Sequence, residues 1–152
     1  DLKVRLKHSI NRAVVDGKRV VLVDDSIVRG TTSRQLVQMF KAAGAKEVHF
    51  RSASPPIRHP DFYGIDMPTE RELMAANLTE GEMRKSLEVD TLGFLSVEGL
   101  YWALGEERRN AAIPQFSDHC FTADYPTRLV DRDAKRAAKE FQASLLGEAA
   151  NG

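Results

Sequence analysis

VVLVDDSIVRGTTS, residues Val20 to Ser33, joins an apolar run to a small, hydroxyl-rich turn. Val20, Val21, Leu22 and Val23 are four consecutive apolar residues, three of them β-branched, the pattern of a strand buried on both faces as parallel sheets require. Asp24 and Asp25 stand where such a strand ends, and in open α/β sheets ligands bind in the crevice beyond the carboxyl ends of the strands. Arg29-Gly30-Thr31-Thr32-Ser33 then leads into a segment whose Leu36, Val37, Phe40 and Ala43 fall on one helical stripe. The turn therefore opens a helix. Unpaired backbone N–H groups, the positive end of the helix dipole and three hydroxyls suit a phosphate there, with Gly30 letting the backbone come close. The acids suit a cation or hydroxyl groups. A phosphorylated sugar satisfies both ends, its phosphate on the turn and its ribose hydroxyls and a magnesium ion at the acids.

A purely structural reading is also open, because Asp or Ser after a strand is often only a helix N-cap. Two adjacent carboxylates at a buried strand end fit it less well, since like charges repel and desolvation is costly. The chain has no GxxxxGK[ST] and no GxGxxG after a strand, so neither the P-loop lysine nor the dinucleotide fingerprint applies.

The 152 residues are enough for one core. The 22 basic and 22 acidic residues balance, which argues against a nucleic-acid or membrane surface. A single cysteine, Cys120, excludes an intramolecular disulfide and fits a reducing cytoplasm. No apolar run approaches a membrane span, and no signal peptide is visible. The chain opens at Asp1 in a strand-like stretch, LKVRLKHSI, with no start signal before it, as expected of a fragment or processed chain.

Outward from the motif, Asp16-Gly17-Lys18 reads as a turn, Gly44 as the end of the helix and Lys46 to Ala53 as a second strand, parallel to the first. Ser54-Pro55-Pro56 ends that strand, and a loop beside the crevice runs to about Pro68. Thr69-x-x-Glu72 and Thr79-x-x-Glu82 have capping-box form and predict two short helices, with Asn77 near the break. Asp90 to Leu95 reads as a third strand and Ser96 as the cap of a helix running to about Leu104, with Tyr101 and Trp102 most simply in the core and a partner surface as the alternative. Gly105 to Leu129 is expected to be irregular, anchored by Phe116, Phe121 and Tyr125, and Asp131 to Leu146 to be a charged helix.

VVLVDDSIVRGTTS closely resembles the phosphoribosyl pyrophosphate (PRPP) signature of the type I phosphoribosyltransferases. SPPIRHPDFYGIDMPT (Ser54 to Thr69), DTLGFLSVEGL (Asp90 to Leu100) and CFTADYPT (Cys120 to Thr127) resemble further blocks of one branch, the glutamine amidophosphoribosyltransferases. The resemblance implies an α/β fold, a partial type I phosphoribosyltransferase sheet flanked by helices, with a C-terminal helical segment. Residues 1–105 are the partial transferase domain with the PRPP motif at 20–33, and residues 106–152 an irregular segment and helix packing on it.

The implied reaction forms 5-phosphoribosylamine from PRPP and glutamine-derived ammonia, the first step of purine synthesis. By the resemblance, Asp24 and Asp25 are expected to be the catalytic carboxylates and magnesium ligands, and Asp24, Asp25, Ser26, Arg29, Gly30, Thr31, Thr32 and Ser33 to bind PRPP. Purine nucleotides are expected as feedback inhibitors, an N-terminal glutaminase domain as a partner within the longer chain, and a homo-oligomer as the assembly. The chain alone is expected to be inactive, since the family's glutaminase cysteine, pyrophosphate loop and lid are expected upstream of Asp1. A salvage phosphoribosyltransferase and a non-catalytic PRPP-sensing module are the alternatives. Members of the family that carry an iron–sulfur cluster use four cysteines, aligned here with Asp61, Ser117, Cys120 and one upstream position, so no cluster is expected. His59, Asp61, His119 and Cys120 are metal-ligand types without CxxC or HxxxH spacing, so zinc is not expected either, and Cys120 reads as a small core hydrophobe.

Overall fold

The computed structural model describes residues 10–64 and 69–130. The opening strand-like stretch, but for Ile10, the end of the loop at Pro68 and the closing helix from Asp131 lie outside the described residues.

Asn11 starts helix α1 (Arg12–Val15) by accepting a hydrogen bond from the Ala13 N–H at 3.0 Å. The Asp16-Gly17-Lys18 turn then feeds strand β1 (Arg19–Asp24), followed by helix α2 (Thr31–Ala42) and strand β2 (Glu47–Ser52). The expected strand–helix–strand unit is present, and Gly44, in the left-handed region at φ +95°, closes α2. Both capping boxes are formed. Thr69 and Glu72 cap a 3-10 turn (Glu70–Glu72), and Thr79 and Glu82 cap α4 (Glu80–Leu87), with a short helix α3 (Met74–Asn77) between them. Strand β3 (Thr91–Phe94), helix α5 (Val97–Ala103) and helix α6 (His119–Thr122) complete the described chain.

The sheet has the order β1-β2-β3 and both pairings are parallel. All strand carboxyl ends therefore share one edge, where Asp24 lies opposite Ser52 and Ser52 opposite Phe94. Alternation along each strand sends Val48, Phe50 and Leu92 into one face, where Ile27, Val37, Met83 and Leu87 bury them. The other face is polar. Arg19 pairs with Glu47 at 2.6 Å, Glu47 with His49 at 3.0 Å, and His49 with the Thr91 hydroxyl at 3.0 Å.

Two expectations fail here. The run Val20 to Val23 is not buried on both faces, because Val21 and Val23 are 60% and 72% exposed on the polar side of an edge strand that nothing covers among the described residues. Trp102 is 76% exposed although Tyr101 is 1% exposed, since adjacent helical residues point about 100° apart and only one can face the core. The stretch expected to be irregular contains α6, a single turn seeded by Asp118, while Phe116 packs edge-on against Tyr101 at 5.5 Å.

Ser96 caps α5 as expected, accepting a hydrogen bond from the Gly99 N–H at 2.9 Å. Ser96→Ala should therefore cost about 1 kcal/mol of folding stability, read as a lower denaturation midpoint at unchanged slope. An unchanged midpoint would show the cap to be dispensable.

Candidate functional site

β1 delivers Asp24 to the carboxyl edge of the sheet, and the Ala53 N–H, just past β2, donates to the Asp24 carbonyl at 2.8 Å. The motif then alternates between core and solvent. Ile27 is 1% exposed and anchors the loop in the core, whereas Asp25 and Arg29 are exposed and Asp24 and Ser26 half-buried. The argument from desolvated twin carboxylates thus does not hold: water reaches both acids and screens their repulsion. The Asp25 N–H donates to Asp24 Oδ1 at 3.1 Å and the Ser26 hydroxyl to Asp25 Oδ1 at 3.2 Å. Neither carboxylate forms an ion pair among the described residues.

Gly30 is the N-cap of α2 and has no side chain with which to cap it. It sits at φ +75°, and a Cβ there would collide with the Met74 sulfur and lie 3.4 Å from Leu87. The glycine is thus required by backbone conformation and by packing. The first-turn N–H groups of α2 have no partners within the helix and open toward the same space as the Thr31 and Thr32 hydroxyls, which are exposed. Ser33 is only 3% exposed, so of the three hydroxyls it is the one held inward. Together with Val28, all eight predicted site residues, Asp24, Asp25, Ser26, Arg29, Gly30, Thr31, Thr32 and Ser33, line one hollow of about 310 Å³. Carboxylates stand at one side and a helix N-terminus at the other. Arg29 reaches Glu72 at 3.2 Å, and this hydrogen bond holds the Glu72 carboxyl below its ordinary pKa. Both partners are about half exposed, so the pair contributes little and the guanidinium remains close to the hollow.

A larger hollow of about 620 Å³ lies along residues 106–115, but its Arg109 is bound to Asp118 and Asp124. That arrangement is structural.

The loop after β2 folds back onto α6. The N–H groups of Arg58 and His59 donate to the Cys120 carbonyl at 2.9 and 3.1 Å, and the Tyr125 hydroxyl donates to the Pro60 carbonyl at 2.9 Å. Ile57, Leu73 and Cys120 form a second small core that Val28 of the motif packs against. Burial, and behind it the charge of Asp61, pushes the Cys120 thiol up to about 11, so with no cation beside it the side chain packs as a neutral thiol. Asp61 and His119 are joined at 2.6 Å, Nε2 to Oδ1. Ser117 does not join them as a buried partner: it is exposed, on the rim of a different hollow.

Chains of known function share this architecture and this sequence. An amidophosphoribosyltransferase of Rhizobium etli is 60% identical over 87% of the chain and 27% of its own length, and one of Methanocaldococcus jannaschii is 53% identical over 85% and 26%. The chain belongs to the amidophosphoribosyltransferase family. It spans about a quarter of the length of these amidophosphoribosyltransferases. The fold agrees: the Bacillus subtilis glutamine PRPP amidotransferase solved in complex with ADP and GMP superposes with a TM-score of 0.72 at 47% identity, over 85% of the chain and 29% of its own. The three-stranded parallel sheet with flanking helices is thus part of the type I phosphoribosyltransferase fold of amidophosphoribosyltransferases. No family model matches the chain. No helix among the described residues is long and apolar enough to cross a membrane.

Proposed function

We propose that the chain supplies the PRPP-binding, C-terminal part of an amidophosphoribosyltransferase, which forms 5-phosphoribosylamine from PRPP and glutamine-derived ammonia at the start of purine synthesis. The observation that carries this reading is the single hollow in which an acid pair faces a helix N-terminus, within a chain 60% identical to one such enzyme. In this reading Arg29 to Ser33 hold the 5-phosphate, and Asp24 and Asp25 meet the ribose hydroxyls. The same two carboxylates, accessible and outside any ion pair among the described residues, are hard oxygen donors that fit Mg2+. Bound there, magnesium supplies positive charge against the pyrophosphate group.

Displacement of pyrophosphate by ammonia leaves positive charge on the sugar in the transition state. Fixed carboxylates beside that charge stabilise it, and the helix N-terminus keeps the phosphate end from moving, so the chain's contribution is electrostatics and positioning. The activity belongs to the longer protein, and the exposed Val21 and Val23 face is a suitable seat for its remainder. Residues 1–105 are the transferase portion in this reading, and the contacts of Cys120 and Asp118 with loop and helix support packing of 106–130 on it. Purine nucleotides act as feedback inhibitors in this reading, with the Asp24 to Ser33 hollow as their target; that the Bacillus subtilis relative was solved with ADP and GMP supports nucleotide binding. A homo-oligomer in the cytoplasm completes the proposal.

Asp25→Asn tests it. The variant removes one charge from an exposed side chain, so it should fold normally and bind magnesium–PRPP about 10-fold more weakly, with turnover of the whole enzyme reduced in parallel. Unchanged binding by calorimetry would remove Asp25 from the site.

A further inference from the structure

Asp61, His119 and Cys120 lie 58 or more residues apart in one case and side by side in the other, and the fold brings them together between loop 55–64 and α6. All three are buried, at 8%, 4% and 8% exposure, and one donor atom from each lies within 4.8 Å of the others. His119 Nδ1 is buried and has no hydrogen-bond partner among the described residues. Nε2, not Nδ1, faces the Asp61 carboxylate, and a carboxylate, an imidazole and a thiol gathered out of water are the donor set that a Lewis acid takes. The second layer is already built. The Tyr63 N–H donates to Asp61 Oδ2 at 2.9 Å, and the rings of Tyr63 and Tyr125 wall the imidazole with centroids at 5.1 Å.

The donor chemistry selects the ion. One thiolate, from the only cysteine in the chain, is too few for an iron–sulfur cluster. Calcium and magnesium take oxygen ligands, which leaves two of the three donors unsuited. Sulfur, nitrogen and carboxylate oxygen together suit Zn2+. Tetrahedral bonds of about 2.0–2.3 Å place donors about 3.3–3.8 Å apart. The Asp61–His119 pair, at 2.6 Å, must therefore part to admit the ion between its oxygen and nitrogen. We propose that Asp61, His119 and Cys120 bind one zinc ion that ties loop 55–64 to α6. On binding, the sulfur–proton bond of Cys120 is exchanged for a sulfur–zinc bond and the proton passes to solvent.

The test is metal content and cobalt substitution of the protein purified without a polyhistidine tag. After chelation, titration should restore one zinc per chain and raise the melting temperature, and Co2+ in its place should show a thiolate charge-transfer band with tetrahedral ligand-field bands. Cys120→Ser should lose that band and weaken zinc by about 10-fold or more, and Asp61→Asn should keep the band while also weakening zinc. A folded protein that takes up no stoichiometric zinc would overturn the proposal. So would iron with acid-labile sulfide, or zinc binding that Cys120→Ser leaves unchanged. If Cys120→Ser does not fold, the presence or absence of the band in the unsubstituted protein decides. None of these readouts involves PRPP, so they stand or fall separately from the transferase reading.

Discussion

Asp118→Ala will lose about 3–5 kcal/mol of folding stability, the cost of stranding the partners of a buried charge. Asp118 is 3% exposed and accepts four side-chain hydrogen bonds: two from Arg109, one from the Tyr101 hydroxyl at 2.9 Å and one from the Thr122 hydroxyl at 3.0 Å. Its removal leaves a guanidinium only 17% exposed with Asp124 as its remaining carboxylate partner, and a buried phenol without the Asp118 acceptor. Burial alone would raise the Asp118 carboxyl pKa, but the hydrogen bonds from Arg109, Tyr101 and Thr122 outweigh it and hold the carboxyl below its ordinary value. A depressed folded pKa contributes stability that is fully present above the unfolded value, about 3.9, and is lost as pH falls through the folded value. The stability gap between the native protein and Asp118→Asn should accordingly be constant at neutral pH and shrink in the acid range below about 4. Chemical denaturation of native, Ala and Asn forms across pH measures both effects. A neutral-pH loss under about 1 kcal/mol for Ala, or a gap that does not narrow in acid, would show that the network contributes little.

Gly30→Val will destabilise the fold by about 3 kcal/mol and distort the proposed phosphate seat with it. Two costs combine. A β-branched side chain at φ +75° carries the left-handed backbone penalty, about 1–2 kcal/mol, and its Cβ must displace the buried Met74 thioether beside Leu87, with overpacking of about 1–3 kcal/mol. Met74 is flexible enough to move but has little empty space to enter. Gly17→Ala separates the two terms, because Gly17 sits at φ +69° with nothing within 4 Å of its added Cβ. It should lose only the backbone part, about 1 kcal/mol. Equal losses at both positions would mean that packing against Met74 is not what requires glycine at the head of α2.

The elements that local chemistry dictates were legible in the chain. β1, α2 and β2 follow from a β-branched run, a helical stripe and a glycine at the helix end, and the Thr–Glu pairs at 69–72 and 79–82 announce their own caps. The hollow lined by Asp24 to Ser33 was legible for the same reason: its residues are consecutive, so a strand followed by a turn and a helix suffices to gather them. Exposure was less so. Hydrophobicity marks Val21, Val23 and Trp102 as candidates for burial, but whether a neighbour covers them depends on elements brought from elsewhere in the chain.

By itself, then, the sequence determined the order of the elements and the composition of the acid-and-turn motif, which rest on near neighbours, and the parallel pairing of β1 and β2, which a helical crossover between two strands imposes. Only the tertiary structure decided that Asp61 meets His119 and Cys120, that Asp118 collects Arg109, Tyr101 and Thr122, and that Gly30 is held against Met74. Those meetings join residues separated by loops whose course no periodicity encodes. They form because burial of the small core of Ile57, Leu73 and Cys120 draws the loop and α6 together, and the polar groups carried inside must then find partners there.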